Sequence, residues 1–201
     1  MAKIVLVTGG GRSGKSSYAE RLAEKLPGPR VYIATTIPFD GELAERVAKH
    51  REARSASRAE GSWATVEEPL DLAAAIRACP SPATILVDCL TMWVNNLLWE
   101  RQAGKDAHRV EPAPTLSETE VAAACRDLAG ACREREGVVV FVTNEVGLGV
   151  IPGDPVTRLY RDLLGRCNQV MAAAAGTVVL MVSGLPLVLK DEDGLGRSLA
   201  P

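Results

Sequence analysis

Five apolar runs of strand length punctuate the chain: Lys3–Thr8 (KIVLVT), Val31–Thr35 (VYIAT), Thr84–Asp88 (TILVD), Val138–Thr143 (VVVFVT) and Thr177–Val182 (TVVLMV). Each is continuous rather than alternating, the pattern of strands covered on both faces, and therefore of a parallel sheet. Between them the period becomes helical. SYAERLAEKL follows the first run. Ser117-Glu118-Thr119-Glu120 predicts a capping box ahead of Val121, Cys125, Leu128 and Cys132 at helical spacing. Asp154-Pro155 predicts an N-cap with proline at N1, before a stripe of Leu159, Tyr160, Leu163, Leu164 and Cys167. Strands alternating with helices imply an α/β fold of three layers, with a mostly parallel central sheet between helices.

Three stretches break the rhythm. Residues around 40–62, helical from Glu42 to about Arg54 and then SASRAEGS, form an excursion between the second and third runs. Gly104–Thr115 mixes charge with proline and is expected to be an exposed loop. The residues 191–201 are polar and glycine-rich, the composition of a flexible tail. Residues 1–190 then form one domain, consistent with 201 residues of which 47% are hydrophobic.

Charge and cysteine usage narrow the setting. A net charge of −2 gives no basic field for nucleic acid and no polybasic run for a membrane surface. No apolar run approaches the roughly 18 residues a membrane span needs. The chain starts directly on a strand pattern, without the basic segment and cleavage site of a leader. Five cysteines, none in a C-x-x-C pair, point away from zinc and thioredoxin-like chemistry and toward core packing. A soluble protein of the reducing cytoplasm is expected.

The first helix is preceded by Gly9-Gly10-Gly11-Arg12-Ser13-Gly14-Lys15-Ser16, which fits G-x-x-x-x-G-K-[ST] in its required place after a strand. Glycines let successive backbone N–H groups turn inward onto phosphate oxygens, and the helix N-terminus adds positive potential. Lys15 is expected to reach the outer phosphates and Ser16 to ligate Mg²⁺. Asp88, closing the third run, is placed either as a carboxylate near that metal or as an ordinary strand-end aspartate opening the next helix.

A phosphate loop does not name a reaction: kinases, motors and nucleotide-gated switches share it. The absence of an N-K-x-D motif in the sequence weakens the guanine-reading switch. RVAKHREAR (Arg46–Arg54) sets His50, one of two histidines, among Arg46, Lys49, Arg51 and Arg54. A neutral imidazole attacks phosphorus, and neighbouring cations lower its pKa and neutralise an approaching triphosphate. A solvated basic helix face with an incidental histidine fits the same letters. His108, in the proline-containing loop, is read as incidental. In TNEVGLGVIP (Thr143–Pro152), Asn144 and Glu145 stand just past a strand's carboxyl end, where parallel sheets open their ligand crevice. Asn168-Gln169 borders the helix stripe with no assigned role.

Together TGGGRSGKS, VYIAT, RVAKHREAR, WATVEEP, VDCLTMWVNNLL, VTNEVGLGVIP, RLYRDLLGRCNQ and VVLMVSGLPLVLK resemble the bifunctional adenosylcobinamide kinase/adenosylcobinamide-phosphate guanylyltransferases of cobalamin synthesis. They run in family order from Val7 to Lys190. The resemblance implies a P-loop NTPase fold of the RecA-like kind and two reactions. ATP or GTP phosphorylates the aminopropanol hydroxyl of adenosylcobinamide. GTP then forms a GMP-histidine intermediate with release of pyrophosphate, and GMP passes to adenosylcobinamide phosphate, giving adenosylcobinamide-GDP. On this chain the guanylylated residue would be His50. The nucleotide contacts would be Gly9, Gly10, Gly11, Arg12, Ser13, Gly14, Lys15 and Ser16; Ala34, Thr35 and Thr36; Arg51, Glu52, Ala53 and Arg54; and Glu67 and Asp88, with Mg²⁺ at Ser16 and Asp88. A homo-oligomer, with the trimer as the family's form, is also implied. The chain departs from the family at Ser55, where proline is common, and at Lys49, where some relatives carry a second histidine. Two rivals remain: a plain small-molecule kinase, which needs no His50, and a nucleotide-gated binding module, which transfers nothing.

Overall fold

The structure is a computed structural model that describes residues 1–36, 63–103 and 115–196. All five apolar runs are strands: β1 (Lys3–Gly9), β2 (Arg30–Ala34), β4 (Ala83–Asp88), β5 (Gly137–Val142) and β6 (Thr177–Val182). Two more join them, β3 (Trp63–Glu67) and β7 (Leu185–Asp191). They form one sheet in the order β3-β2-β4-β5-β1-β6-β7, parallel throughout except for β7, which runs antiparallel to β6.

The helices are α1 (Lys15–Glu24), α2 (Leu72–Ala78), α3 (Leu90–Ala103), α4 (Glu118–Arg133) and α5 (Pro155–Ala174). Strand residues alternate between two cores, which is why the runs are continuously apolar. Val5, Val7, Leu86, Val140 and Val179 face α1, where Tyr18, Ala19 and Leu22 cover them. Ile4, Leu6, Ile33, Ile85, Val87 and Phe141 face the opposite way, against α2 to α5. Cys125, Cys132 and Cys167 are buried in this second core, and all five cysteines are free thiols. The sequence-read caps are present. Ser117 and Glu120 form a reciprocal capping box, and the Asp154 carboxylate accepts the Thr157 N–H with Pro155 at N1.

Described residues past Lys190 hydrogen-bond to the sheet and its flanking turn. β7 includes Asp191, the Glu192 N–H donates to the Gly176 carbonyl (2.8 Å), and the Gly196 N–H donates to Asp191 Oδ1 (2.9 Å). Hydrogen bonding within and beside the hairpin supplies what apolar burial does not. Residues 197–201, the excursion from 40 to 62 and residues 104–114 of the proline-containing loop lie outside the described residues. No described helix is long and apolar enough to cross a membrane.

Candidate nucleotide-binding site

In the sheet order, the carboxyl ends of β3, β2, β4, β5 and β1 stand along one edge. Register aligns Glu67 with Ala34, Ala34 with Asp88, and Asp88 with Val142. The phosphate loop leaves β1 at this edge. At about 4.8 Å per strand, Glu67 stands roughly 10 Å from Asp88 across β2.

The loop backbone takes conformations that its glycines permit. Gly9 has φ +149° and Gly14 has φ +90°. A Cβ on Gly9 would lie 2.5 Å from the Met181 carbonyl oxygen and 2.9 Å from Ser13 Oγ, so no side chain fits there. The loop is tied to its neighbours: the Gly184 N–H donates to the Ser13 carbonyl (3.1 Å) and the Glu145 N–H to the Gly9 carbonyl (3.0 Å). Lys15 curls back so that Nζ donates to the Gly10 carbonyl at 2.6 Å, and it is only 7% exposed. Burial draws its pKa below the ordinary lysine value, with the Asp88 carboxylate opposing the shift. Cys89 is pushed up to about 12 by burial and then by Asp88, so it stands as a neutral thiol beside this cation.

Gly11 to Ser17, Asp88, Cys89, Val142 and Asn144 surround a cavity of about 390 Å³. This unites the loop with Asp88 and with one member of the Asn144–Glu145 pair. Ser13 Oγ is buried without a partner among the described residues, a donor suited to an anionic oxygen. Ser16 and Asp88, both lining this cavity, offer a hydroxyl and a carboxylate oxygen. That donor set suits Mg²⁺, which takes one or two protein oxygens and completes its shell with water and phosphate. Asp88 Oδ2 also accepts the Tyr32 hydroxyl (3.0 Å), which fixes the carboxylate.

Thr35 is fully buried, and its hydroxyl is committed to the chain: it donates to the Cys89 carbonyl and accepts the Cys89 N–H, both at 2.8 Å. It ties the end of β2 to the end of β4. The adjacent carbonyl of Thr35 accepts Asn96 Nδ2 (2.7 Å), which also donates to the Pro69 carbonyl (3.1 Å). Asn96, in the NNLL stretch, thus draws together the loops after β2 and β3. Ala34 ends β2, Thr36 is half-buried just beyond it, and Glu67 is exposed at the end of β3.

The segment after β5 is clamped in the same way. Asn144 N–H donates to Thr91 Oγ1 (2.8 Å), and the Tyr160 hydroxyl donates to the Thr91 carbonyl (3.1 Å). Asn168 Oδ1 accepts the Thr143 hydroxyl (2.7 Å) and its Nδ2 donates to the Asn144 carbonyl (2.9 Å). Asn168, which had no role in the sequence, holds the Thr143 hydroxyl and the Asn144 carbonyl. Its pairing across 25 residues leaves no local signature. His50, Arg51, Glu52, Ala53, Arg54 and His108 lie outside the described residues.

The description cobinamide kinase / cobinamide phosphate guanyltransferase (CobU) matches this chain over residues 5–189, from within β1 to within β7. The chain belongs to the CobU family. The bifunctional adenosylcobalamin biosynthesis protein CobP of Pseudomonas aeruginosa is 40% identical over 188 residues, covering 93% of this chain and 97% of the relative. The protein CobU of Escherichia coli strain K12, which carries the same bifunctional description, is 39% identical over 188 residues, covering 93% and 99%. Among solved structures, a protein of Pyrococcus horikoshii OT3 is 10% identical with a TM-score of 0.52, covering 96% of this chain and 89% of that one. That likeness concerns the fold alone.

Proposed function

We propose that this chain carries out both transfers named by its family, using one nucleotide cavity and two nucleophiles. The observation that carries the reading is the cavity shared by Lys15, Ser16, Asp88 and Asn144 at the sheet's carboxyl edge. In the first reaction the aminopropanol oxygen of adenosylcobinamide bonds to the γ-phosphorus of ATP or GTP. The bond from that phosphorus to the β-phosphate oxygen breaks, the nucleoside diphosphate leaves, and the hydroxyl proton goes to solvent. Lys15 and the inward N–H groups of Gly9 to Ser16 stabilise charge on the phosphoryl oxygens. Bound Mg²⁺, held by Ser16 and Asp88, would supply further neutralisation of the phosphates.

In the second reaction a neutral His50 nitrogen attacks the α-phosphorus of GTP and pyrophosphate leaves. A phosphate oxygen of adenosylcobinamide phosphate then attacks the same phosphorus, the N–P bond breaks, and adenosylcobinamide-GDP forms. Arg51 and Arg54 steady charge during the exchange, while Glu52, Ala53, Glu67 and the segment Ala34 to Thr36 border the nucleoside. A covalent intermediate splits a transfer between two bulky anions into two easier steps. The five free thiols fit a cytoplasmic setting. A homo-oligomer, with a trimer as the specific proposal from the family resemblance, completes the reading.

The deciding experiment incubates the protein with α-labelled GTP and follows label retained after denaturation. Acid-labile, base-stable label is expected on the wild type and absent from His50→Ala, while cobinamide phosphorylation survives that substitution. Label retained in full by His50→Ala would sink the assignment, and absence of any label would leave only a kinase.

A further inference from the structure

A second and larger cavity, of about 800 Å³, lies between α5 and the strands β1, β6 and β7. We infer that this cleft is the acceptor site, holding the corrinoid while its hydroxyl is phosphorylated; the inference rests on the reading given under Proposed function. The argument begins with placement. Thr8 lines the cleft, and Gly9, the next residue, opens the phosphate loop. The partition between the two cavities is the segment after β5: Asn144 lines the nucleotide cavity, whereas Glu145 lines the cleft. The Glu145 N–H bond to the Gly9 carbonyl joins that partition to the phosphate loop. The cleft and the nucleotide cavity therefore adjoin across one segment of backbone, the residues that follow β5.

The chemistry of the walls selects the ligand. Glu118, Glu145, Asp162, Arg161 and Arg166 line the cleft, with Arg161 paired to Asp162 at 3.0 Å. The acidic excess is the wrong sign for a second triphosphate, whose binding calls for a surplus of cations. It suits an amide-rich molecule that carries no phosphate: carboxylates and Gln169 accept amide N–H groups, and guanidinium groups donate to amide oxygens. The floor is apolar, with Leu6, Val178 and Leu189, and the apolar surface continues over β7, where Leu185 and Leu187 are 65% and 54% exposed. Thr8 Oγ1 is buried with no partner among the described residues, so the floor also carries a hydroxyl with unused hydrogen-bonding capacity.

A flat macrocycle with an apolar face and a rim of amides matches both surfaces. The cleft volume lies in the usual range of about 300–1,000 Å³ for small-molecule sites. A corrinoid is larger, so its reactive arm occupies the cleft and its ring extends over the leucines of β7.

The test uses two variants on opposite walls, Arg166→Ala on α5 and Leu189→Gln on β7. Neither residue lines the nucleotide cavity. Cobinamide phosphorylation is measured for the KM of cobinamide and of nucleotide, and α-label transfer from GTP is measured separately without corrinoid. The KM for cobinamide is expected to rise about tenfold in each, equivalent to loss of one good contact. Nucleotide KM, label yield and the midpoint of thermal unfolding are expected to stay near wild type. An unchanged cobinamide KM in both variants overturns the inference. So does a KM rise that accompanies a change of sedimentation state, which would assign the cleft to a second copy of the chain. Failure of the wild type to take label defeats the two-transfer reading alone, because the KM comparison needs only the kinase step.

Discussion

Asn168 holds Thr143 and Asn144 with the two ends of one amide, its oxygen 2.7 Å from the Thr143 hydroxyl and its nitrogen 2.9 Å from the Asn144 carbonyl. Through that grip a helix fixes the partition between the nucleotide cavity and the neighbouring cleft. Asn168→Ala would leave the buried Thr143 hydroxyl and the half-buried Asn144 carbonyl without this partner and cost about 1–3 kcal/mol of stability, read as a shift in the urea midpoint. Asn168→Asp keeps an acceptor for Thr143 but turns a carboxylate oxygen toward the Asn144 carbonyl, so it should rank no better than alanine. Phosphorylation kcat should fall in the same order at a temperature where all three proteins are folded. Equal kcat across the series would confine Asn168 to stability alone.

Lys15 gives the site a pH dependence of known sign. Burial lowers its pKa below the ordinary 10.5, so the folded protein gives up this proton at a pH where the unfolded chain still holds it. Between those two values the unfolded state binds more protons, and unfolding free energy rises with pH. Triphosphate affinity moves oppositely, because the cation facing the phosphates is lost. Nucleotide titrations should therefore weaken on the alkaline side before pH 10.5, while ligand-free stability improves across the same window. Lys15→Met should remove both trends, and should lower phosphorylation kcat by about 100-fold or more through loss of charge stabilisation. An alkaline affinity loss that persists unchanged in Lys15→Met would assign it to another group.

The strands buried on both sides were legible because alternate residues serve two cores, making each run apolar throughout. β3 and β7 escaped that signal for a shared reason: they are the two edges of the sheet. WATVE is largely exposed, and LPLVLKD follows β6 through a tight turn whose central residues, Ser183 and Gly184, both have positive φ. That turn chemistry suits a hairpin, and its twist matches antiparallel strands. The phosphate loop was legible because its chemistry is local. The bracing roles of Asn96, Thr35 and Asn168 were not, since each joins backbone or hydroxyl groups brought together only by the sheet order. Asn144 and Glu145 were placed at the crevice by their position after β5, but the division between them needed the two cavities.

Gly9 tests how much of the cradle is backbone shape. Alanine there would have to push its methyl against the Met181 carbonyl oxygen, 2.5 Å away, at a φ of +149° that side chains disfavour. The obstructing atom belongs to β6 backbone and cannot rotate aside. Gly9→Ala should lose about 3 kcal/mol of stability, in line with strain at a special backbone position, and nucleotide affinity should drop further in the fraction that remains folded. Gly10, with nothing within 4 Å of its built Cβ, provides the control: Gly10→Ala should keep near wild-type stability. Equal unfolding midpoints for the two variants would refute the steric account.

Asp88 separates a metal role from a role in opening α3. Its Oδ2 accepts the Tyr32 hydroxyl at 3.0 Å, and the Tyr32 ring meets Trp63 edge-on with centroids 6.1 Å apart. Asp88→Asn removes the negative charge while keeping the size, so a hard cation loses its best protein ligand. The Mg²⁺ concentration for half-maximal phosphorylation should rise at least tenfold, within the range of roughly 10–100-fold seen when metal-site support is lost. Tyr32→Phe leaves the carboxylate charged but frees its orientation, and should produce a smaller rise in the same direction. If instead both variants keep the wild-type Mg²⁺ curve and differ only in thermal midpoint, the carboxylate serves the start of α3, and the cation is held by Ser16 and the phosphates alone.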